Sequence, residues 1–295
     1  MRDTHARAIE TAIRQAIGND FLVGALTPVQ GGSIHACYRV DGGGERYFAK
    51  VGGFACAPMF EAEADGLAAL RDTHTFHVPK RLFCGQIDES ACLILEHLDL
   101  QPLSERDHGL AAGEALARLH QVHGDAYGWP TDNYLGRTPQ NNTPCPTWAA
   151  FLAERRLGPM IARAVEQGFD SLAKPGRALI QRIPALLVDH KPPAALLHGD
   201  LWHGNIGVLP DGTPAIFDPA VSHGDPEFDL AMTALFGGFP DSFYAAYRQR
   251  CPPAPGHDVR ERLYRLYHVL NHLILFGRGY LGEAQRLVRW LLDCR

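Results

Sequence analysis

The sequence contains no run of about 18 apolar residues, the minimum for a helix that crosses a membrane. Its beginning, MRDTHARAIE, also lacks the apolar core of a signal peptide. With 28 Lys and Arg against 33 Asp and Glu, the formal net charge is −5, which gives no electrostatic reason to bind nucleic acid. We therefore expect a cytoplasmic protein that binds neither membranes nor nucleic acids.

Patterns typical of disulfide frameworks and metal sites are missing as well. The 7 cysteines include no C-x-x-C pair, and their odd number argues against a disulfide framework or a structural zinc site. The 15 histidines form no H-E-x-x-H motif, and His120 and His123 are not expected to bind metal. What remains is a chain of 295 residues, 46% of them hydrophobic, which suffices for one large domain or two lobes.

The most informative stretch is LLHGDLWHGN, residues 196–205. An apolar run leads to Asp200, and Asn205 follows it in the same loop. Residues 206–217 are predicted to form a hairpin around an Asp-Gly turn, and its return strand ends at a second carboxylate, Asp218. Two acids and an amide arranged in this way can accept a proton and hold Mg²⁺ beside it. The pattern predicts the catalytic centre of a kinase-like phosphotransferase.

A glycine loop and a lysine in the first third of the chain fit the same chemistry. Gly31, Gly32 and Ser33 lie between the first two predicted strands, 22–29 and 36–40, and the third strand, 46–51, carries Lys50. Glycines let backbone N–H groups approach phosphates, and a lysine on the next strand pairs with phosphate oxygens. A Gly-Gly pair alone is also typical of an ordinary hairpin turn.

The predicted helix 59–70 supplies a partner for Lys50. Glu63 lies on the same face as Phe60 and Leu67, and a carboxylate among core residues is costly unless it is paired. We expect an ion pair between Lys50 and Glu63, of the kind that positions ATP in kinases. The alternative is that Glu63 reaches solvent at the edge of the apolar stripe.

The order of the remaining elements suggests two lobes. A predicted strand runs into Glu96, His97 and Leu98, where a kinase hinge would present backbone groups to adenine. We expect an N-terminal nucleotide-binding lobe, residues 1–98, and a mainly helical C-terminal lobe with the catalytic and substrate sites, residues 99–295.

Several residues of the second half allow two interpretations. Residues 125–146 are rich in Gly, Pro, Asn and Thr and either contact substrate or fill space. Trp202 and His203 line a sugar pocket, or Trp202 belongs to the core. Asp229 is expected to be a structural acid that bonds the backbone of the catalytic loop.

The chain resembles the fructosamine/ketosamine-3-kinases, which have a protein-kinase-like fold related to aminoglycoside phosphotransferases. The resemblance rests on LLHGDLWHGN, FDPA (217–220), EFDLA (227–231), LFGGFP (235–240), LNH (270–272) and FGR (276–278). It implies an α+β, bilobal protein-kinase-like fold, with a small N-terminal lobe built on an antiparallel sheet and a larger, mainly helical C-terminal lobe.

The resemblance also implies residue roles. Asp200 would be the catalytic base, Asn205 and Asp218 would hold Mg²⁺, and Lys50 with Glu63 would position the ATP phosphates. The glycine loop would cover those phosphates, and residues 96–98 would border adenine.

The expected function is ATP- and Mg²⁺-dependent phosphorylation of the 3-hydroxyl of a ketosamine, a ribulosamine or fructosamine, free or bound to protein. The unstable 3-phosphate would release the amine and so repair glycation. Two alternatives are a small-molecule kinase of the aminoglycoside or choline type and a non-catalytic kinase-like binding protein. The sequence does not predict an oligomeric state.

Overall fold

The structure, a computed structural model, describes residues 2–18, 20–29 and 35–294. It divides into two compact units, Met1–Leu103 with Gly204–Pro219, and Ser104–His203 with Ala220–Arg295. None of the described helices is long and apolar enough to cross a membrane. The lobe limits given above, 1–98 and 99–295, are functional divisions and stay a prediction.

The helices and strands follow one another in this order along the chain. The first unit begins with α1 (Arg2–Ile17), β1 (Ala25–Pro28), β2 (Ala36–Gly42), β3 (Glu45–Gly53), α2 (Ala57–Asp72), β4 (Arg81–Ile87) and β5 (Ser90–Glu96). The second unit continues with α3 (Arg106–Leu119), β6 (Asn133–Leu135), β7 (Thr138–Gln140), α4 (Trp148–Phe151), α5 (Gly158–Glu166), α6 (Ala173–Leu186) and β8 (Ala195–Leu197). The hairpin β9 (Ile206–Val208) and β10 (Pro214–Ile216) belongs to the first unit. The second unit ends with β11 (Ser222–Gly224), α7 (Pro226–Thr233), α8 (Asp241–Arg250), α9 (His257–Phe276) and α10 (Leu281–Asp293).

The described part of the first unit is built on a five-stranded antiparallel sheet in the order β1-β2-β3-β5-β4. The turn between β2 and β3 contains Gly43 and Gly44 at φ of 60° and 83°, as a tight hairpin between twisted strands requires. Helix α1 buries Ile9 and Ile13 in one cluster with Val40 of β2 and its neighbours. Each such side chain contributes about 1.5–3 kcal/mol when fully buried, and the cluster anchors the sheet that carries Lys50.

Strand β1 is shorter than predicted. The sequence pattern suggested residues 22–29, whereas the strand begins at Ala25. Part of the preceding backbone is held by α1, because the N–H of Val23 donates to Glu10 and the side chain of Arg14 donates to the carbonyl of Phe21. The N–H of Gly24 then donates to the carbonyl of Asp41 in β2 at 2.8 Å, where the chain joins the sheet.

The second unit packs its helices around one large apolar cluster. Helix α9 passes through the cluster and buries Leu263, Tyr264, Leu266 and Leu270. Helices α3 and α8 approach closely, and a Cβ on Gly113 of α3 would overlap the backbone of Phe243. The mainly helical character predicted for this part of the chain is confirmed.

The segment 125–146 is more ordered than its composition suggests. It contains the hairpin β6–β7, whose buried amides bond to one another and to the core. Gln140 donates to Asn133 at 2.9 Å, and Asn133 donates to the carbonyl of Val221 at 2.7 Å. Both side chains therefore take part in packing.

Candidate active site

Three charged side chains of the first unit meet in one cluster. Lys50 of β3 is 5% exposed, and its Nζ lies 2.9 Å from each carboxylate oxygen of Glu63 on α2. The same ammonium donates to Oδ1 of Asp218, which follows β10. The predicted ion pair between Lys50 and Glu63 is present, and Asp218 is a second partner that the sequence reasoning missed.

Burial and charge compete in this cluster. Burial raises the pKa of Glu63, Lys50 opposes that rise, and the negative charge of Asp218 adds to it. Burial alone would lower the pKa of Lys50, but Asp218 and Glu63 raise it by more, so the ammonium stays charged. Two carboxylates thus share one cation, and Asp218, with 42% of its side chain exposed, is the accessible one.

Asp218 has a strained backbone. Its φ of 56° lies in the left-handed region, which costs a residue other than glycine about 1–3 kcal/mol and is often found at functional sites. The proline that follows fixes the next φ near its helical value and leaves Asp218 little freedom to relax.

Asn205 and Asp218 lie at the open end of the β9–β10 hairpin. Ile206 pairs with Ile216, and the N–H of Phe217 donates to the carbonyl of Asn205 at 3.1 Å, so the ladder continues by one pair. One carboxylate and one amide are a donor set that suits Mg²⁺, which is usually held by one or two protein oxygens together with water and phosphate. The residues present therefore fit the metal that kinase chemistry implies.

The loop that carries Asp200 is shaped by Gly199. Gly199 has a φ of 83°, and a Cβ at this position would overlap the carbonyl oxygen of Ala220. The N–H of Ala220 donates to the carbonyl of His198 at 2.8 Å. Asp200 is half-buried, and its N–H donates to Nδ1 of His198 at 3.2 Å, so that nitrogen is the unprotonated one.

The carboxylate of Asp229, in α7, is hydrogen-bonded to the backbone of this loop. It is fully buried and accepts the N–H of His198 at 2.7 Å and that of Gly199 at 2.8 Å. His120, whose Nδ1 lies 2.7 Å from the hydroxyl of Tyr247, places its Nε2 3.3 Å from the same carboxylate. Burial would raise the pKa of Asp229, but its contacts with His120 and His198 and the N–H of Gly199 lower it. The predicted structural role of Asp229 is confirmed.

Trp202 is both packed and accessible. Its ring packs against the core of the second unit and lies 4.7 Å, centroid to centroid, from His203 and 5.9 Å from Phe236. His203 is exposed. The structure therefore gives Trp202 a core contact and still leaves part of the ring open to a ligand.

The predicted hinge residues lie at the end of β5 and directly after it. Glu96 ends the strand, and its Oε2 accepts the N–H of Lys80 at 3.1 Å. His97 and Leu98 continue without regular structure, and burial is the main cause of the lowered pKa of His97. Their contact with adenine stays a prediction.

The structure brings some of the predicted residues together and not others. Lys50, Glu63 and Asp218 meet in the first unit, whereas Asp200, Trp202 and His203 belong to the second. The glycine loop, Gly31 to Ser33, lies outside the described residues.

Sequence reasoning missed a set of aromatic residues that continues from Trp202. Phe236 lies 4.8 Å from His272, and His272 lies 5.5 Å from Phe276 and 5.3 Å from Tyr280, between ring centroids. His272 and Phe276 are four residues apart on α9, a spacing that predicts a shared helix face, whereas Tyr280 follows the end of that helix.

Known proteins are similar to this chain over most of its length. A probable ketoamine kinase of Synechocystis sp. is 41% identical over 287 residues, which cover 97% of this chain and 96% of that protein. A chloroplastic protein-ribulosamine 3-kinase of Oryza sativa subsp. indica is 36% identical over 289 residues, 95% of this chain and 83% of that protein.

Solved structures show the same fold. A putative fructosamine-3-kinase from Haemophilus somnus 129PT superposes with a TM-score of 0.88 at 28% identity and covers 97% of each chain. An aminoglycoside phosphotransferase superposes with a TM-score of 0.60 at 17% identity, covering 95% of this chain and 98% of that one. The predicted α+β, kinase-like fold is confirmed.

The family model described as fructosamine kinase matches residues 5–294. The resemblance found in the sequence is therefore confirmed, together with the prediction of an enzyme of the ketosamine kinase type. The chain belongs to the fructosamine kinase family.

Proposed function

We propose that this protein uses ATP and Mg²⁺ to phosphorylate the 3-hydroxyl of ketosamines, ribulosamines or fructosamines, free or bound to protein. The observation that carries the proposal is the Lys50–Glu63–Asp218 cluster in a chain of the fructosamine kinase family. The ribulosamine 3-kinase from rice, similar over most of its length, supports the position of phosphorylation. The 3-phosphate would then decompose and release the amine, which repairs the glycated molecule.

The nucleotide is positioned by the first unit. The ammonium of Lys50 pairs with oxygens of the α- and β-phosphates, and Glu63 keeps the lysine in place. The N–H groups of the loop Gly31 to Ser33 cover the phosphates, and residues 96–98 border adenine.

Asp218 and Asn205 would hold the metal. The exposed carboxylate of Asp218 and the amide oxygen of Asn205 are the donors that the protein offers to Mg²⁺. When bound, Mg²⁺ would neutralise negative charge on the phosphate oxygens. Asp218 also pairs with Lys50.

Asp200 is the catalytic base. Its carboxylate orients the 3-hydroxyl and accepts the proton as the oxygen bonds to the γ-phosphorus and the bond to ADP breaks. Asp229 fixes the loop, so that little motion is needed to reach the reactive geometry. Trp202 and His203 contact the sugar.

Substrate-dependent ADP release tests this function. The purified protein is given MgATP and a panel of ribulosamine, fructosamine, an aminoglycoside and choline. We expect a kcat/KM for a ketosamine at least about 100-fold above that for the other acceptors, since a site built for one hydroxyl rejects molecules that leave its polar groups unpaired. Preference for the aminoglycoside or choline would overturn the proposal, and so would the absence of ADP release with every acceptor.

A further inference from the structure

An exposed aromatic surface begins two residues after the proposed base. Trp202 contacts Phe236, Phe236 contacts His272, and His272 contacts Phe276 and Tyr280, with successive ring centroids 4.8 to 5.9 Å apart. We call these five residues the aromatic platform. Phe236 and Phe276 are exposed, at 41% and 52%, whereas Trp202, His272 and Tyr280 are half-buried.

The backbone of the platform is held in an unfavourable conformation. Phe236 has a φ of 56°, and the two glycines that follow it have φ of 101° and 76°. A left-handed phenylalanine that is nearly half exposed gains little from burial to offset the strain of this backbone conformation. Strain of this kind, stabilised by the surrounding fold, is typical of residues that contact ligands.

The histidine of the platform is uncharged near neutral pH. Burial lowers the pKa of His272, and its Nδ1 donates to the carbonyl of His268 at 2.8 Å. The backbone bond fixes the tautomer and the ring orientation. The platform therefore presents ring faces and edges to a ligand, with no net charge of its own.

We propose that Phe236, His272 and Phe276 form a subsite for the group carried on the amine nitrogen of the ketosamine, and that this subsite favours amines with an aromatic substituent. The inference rests on the proposed function, because it takes the 3-hydroxyl to be at Asp200. The nitrogen of a ketosamine is bonded to C1, two carbons from C3, so its substituent extends beyond the sugar. Trp202 contacts the sugar and Phe236 contacts Trp202, which makes the rings beyond Phe236 the next surface that the substrate meets.

The test compares two ketosamines of the same sugar, one made from phenethylamine and one from methylamine. The wild-type protein is expected to have a kcat/KM roughly tenfold higher for the phenethylamine compound, since contacts between aromatic rings stabilise a complex beyond the burial of their area. Phe276→Ala should bring that ratio close to one while leaving the methylamine compound within about twofold of wild type.

Two further variants provide a second test of the subsite and a control. Phe236→Gly removes the ring and suits the positive φ, so it is expected to fold and to reduce the same ratio. Trp290→Ala removes another exposed aromatic ring of the second unit and should leave the ratio unchanged.

The results distinguish an error in the proposed subsite from an error in the proposed function. If the wild-type protein phosphorylates neither ketosamine, the proposed function is wrong. If it phosphorylates both but its ratio is near one, or if Phe276→Ala lowers kcat/KM equally for both, the subsite is wrong and the proposed function stands.

Discussion

The α-carbon of Gly199 lies against the carbonyl oxygen of Ala220, so close that a Cβ would overlap it. This contact places the backbone on either side of the proposed base, because Ala220 also donates to His198 and Asp229 accepts the N–H groups of His198 and Gly199. The glycine of the H-G-D motif is thus required by packing as well as by its φ.

Gly199→Ala should therefore destabilise the protein far more than an equivalent change elsewhere. Gly212 is the matched control, because its φ of 87° is similar but no atom lies within reach of an added Cβ. We expect Gly212→Ala to cost about 1 kcal/mol from the backbone alone and Gly199→Ala at least about 2 kcal/mol more. Urea unfolding measures both, and equal losses would contradict the packing argument.

Glu63→Gln should weaken the use of ATP without unfolding the protein. Burial raises the pKa of Glu63, so a neutral side chain of the same shape costs little stability, but it no longer holds Lys50 by charge. We expect kcat/KM for ATP to fall roughly tenfold or more. Glu61→Gln, an exposed position on the same helix, is the control, and equal kinetics for the two variants would exclude Glu63 from nucleotide binding.

Asp229→Asn should lower kcat and leave the KM for ATP unchanged. The carboxylate of Asp229 accepts two N–H groups of the loop, whereas the amide of asparagine has one acceptor oxygen. The amide also lacks the negative charge that strengthens both hydrogen bonds, and a hydrogen bond to a charged group contributes about 1.5–3 kcal/mol. The loop then holds Asp200 less firmly, which predicts a fall in kcat of about 10- to 100-fold. Asp241→Asn, exposed on α8, is the control. An effect on the KM for ATP alone would show that Asp229 does not act through the catalytic loop.

Acid should weaken the fold through His268. This fully buried residue has its pKa lowered to about 3 from 6.5, mainly by burial. Between about pH 6.5 and pH 3 this histidine therefore binds a proton more readily in the unfolded chain than in the folded protein. The free energy of unfolding falls as the pH drops through that range. From about pH 7.5 to about pH 5 the loss from this one residue is about 2 kcal/mol.

His268→Phe removes that titration and keeps a ring of similar size. Urea unfolding at about pH 7.5 and pH 5 should show a smaller loss for the variant than for the wild-type protein, whereas exposed His203→Gln should behave like wild type. An unchanged pH dependence in His268→Phe would mean that other groups cause the acid sensitivity.

Local patterns predicted the parts of the site that depend on one element at a time. A strand that carries Lys50 and a helix stripe that includes Glu63 were sufficient to predict their ion pair, which is present. The contact between Lys50 and Asp218 joins residues 168 positions apart and depends on where the β9–β10 hairpin packs in the first unit. No local pattern contains that information.

Other differences between the predicted and the observed structure arise from interactions that the amino-acid composition does not indicate. The hairpin within 125–146 has strands of three residues, one of which contains Pro139, so its alternation is too short to recognise. The start of β1 is set by Glu10 and Arg14 of α1, which bind the chain before it enters the sheet. The aromatic platform combines residues from three separate segments of the chain. Within one segment, the i, i+4 spacing of His272 and Phe276 indicates that their rings are neighbours.

The most direct test of the central claim is to identify the phosphorylated atom of the product by NMR. After incubation of the wild-type protein with MgATP and a ribulosamine or fructosamine, we expect the phosphate on O3, followed by release of the amine. Asp200→Ala should lose several orders of magnitude in turnover while calorimetry shows nucleotide still bound. Phosphate on another hydroxyl, or near-normal turnover by Asp200→Ala, would contradict the account.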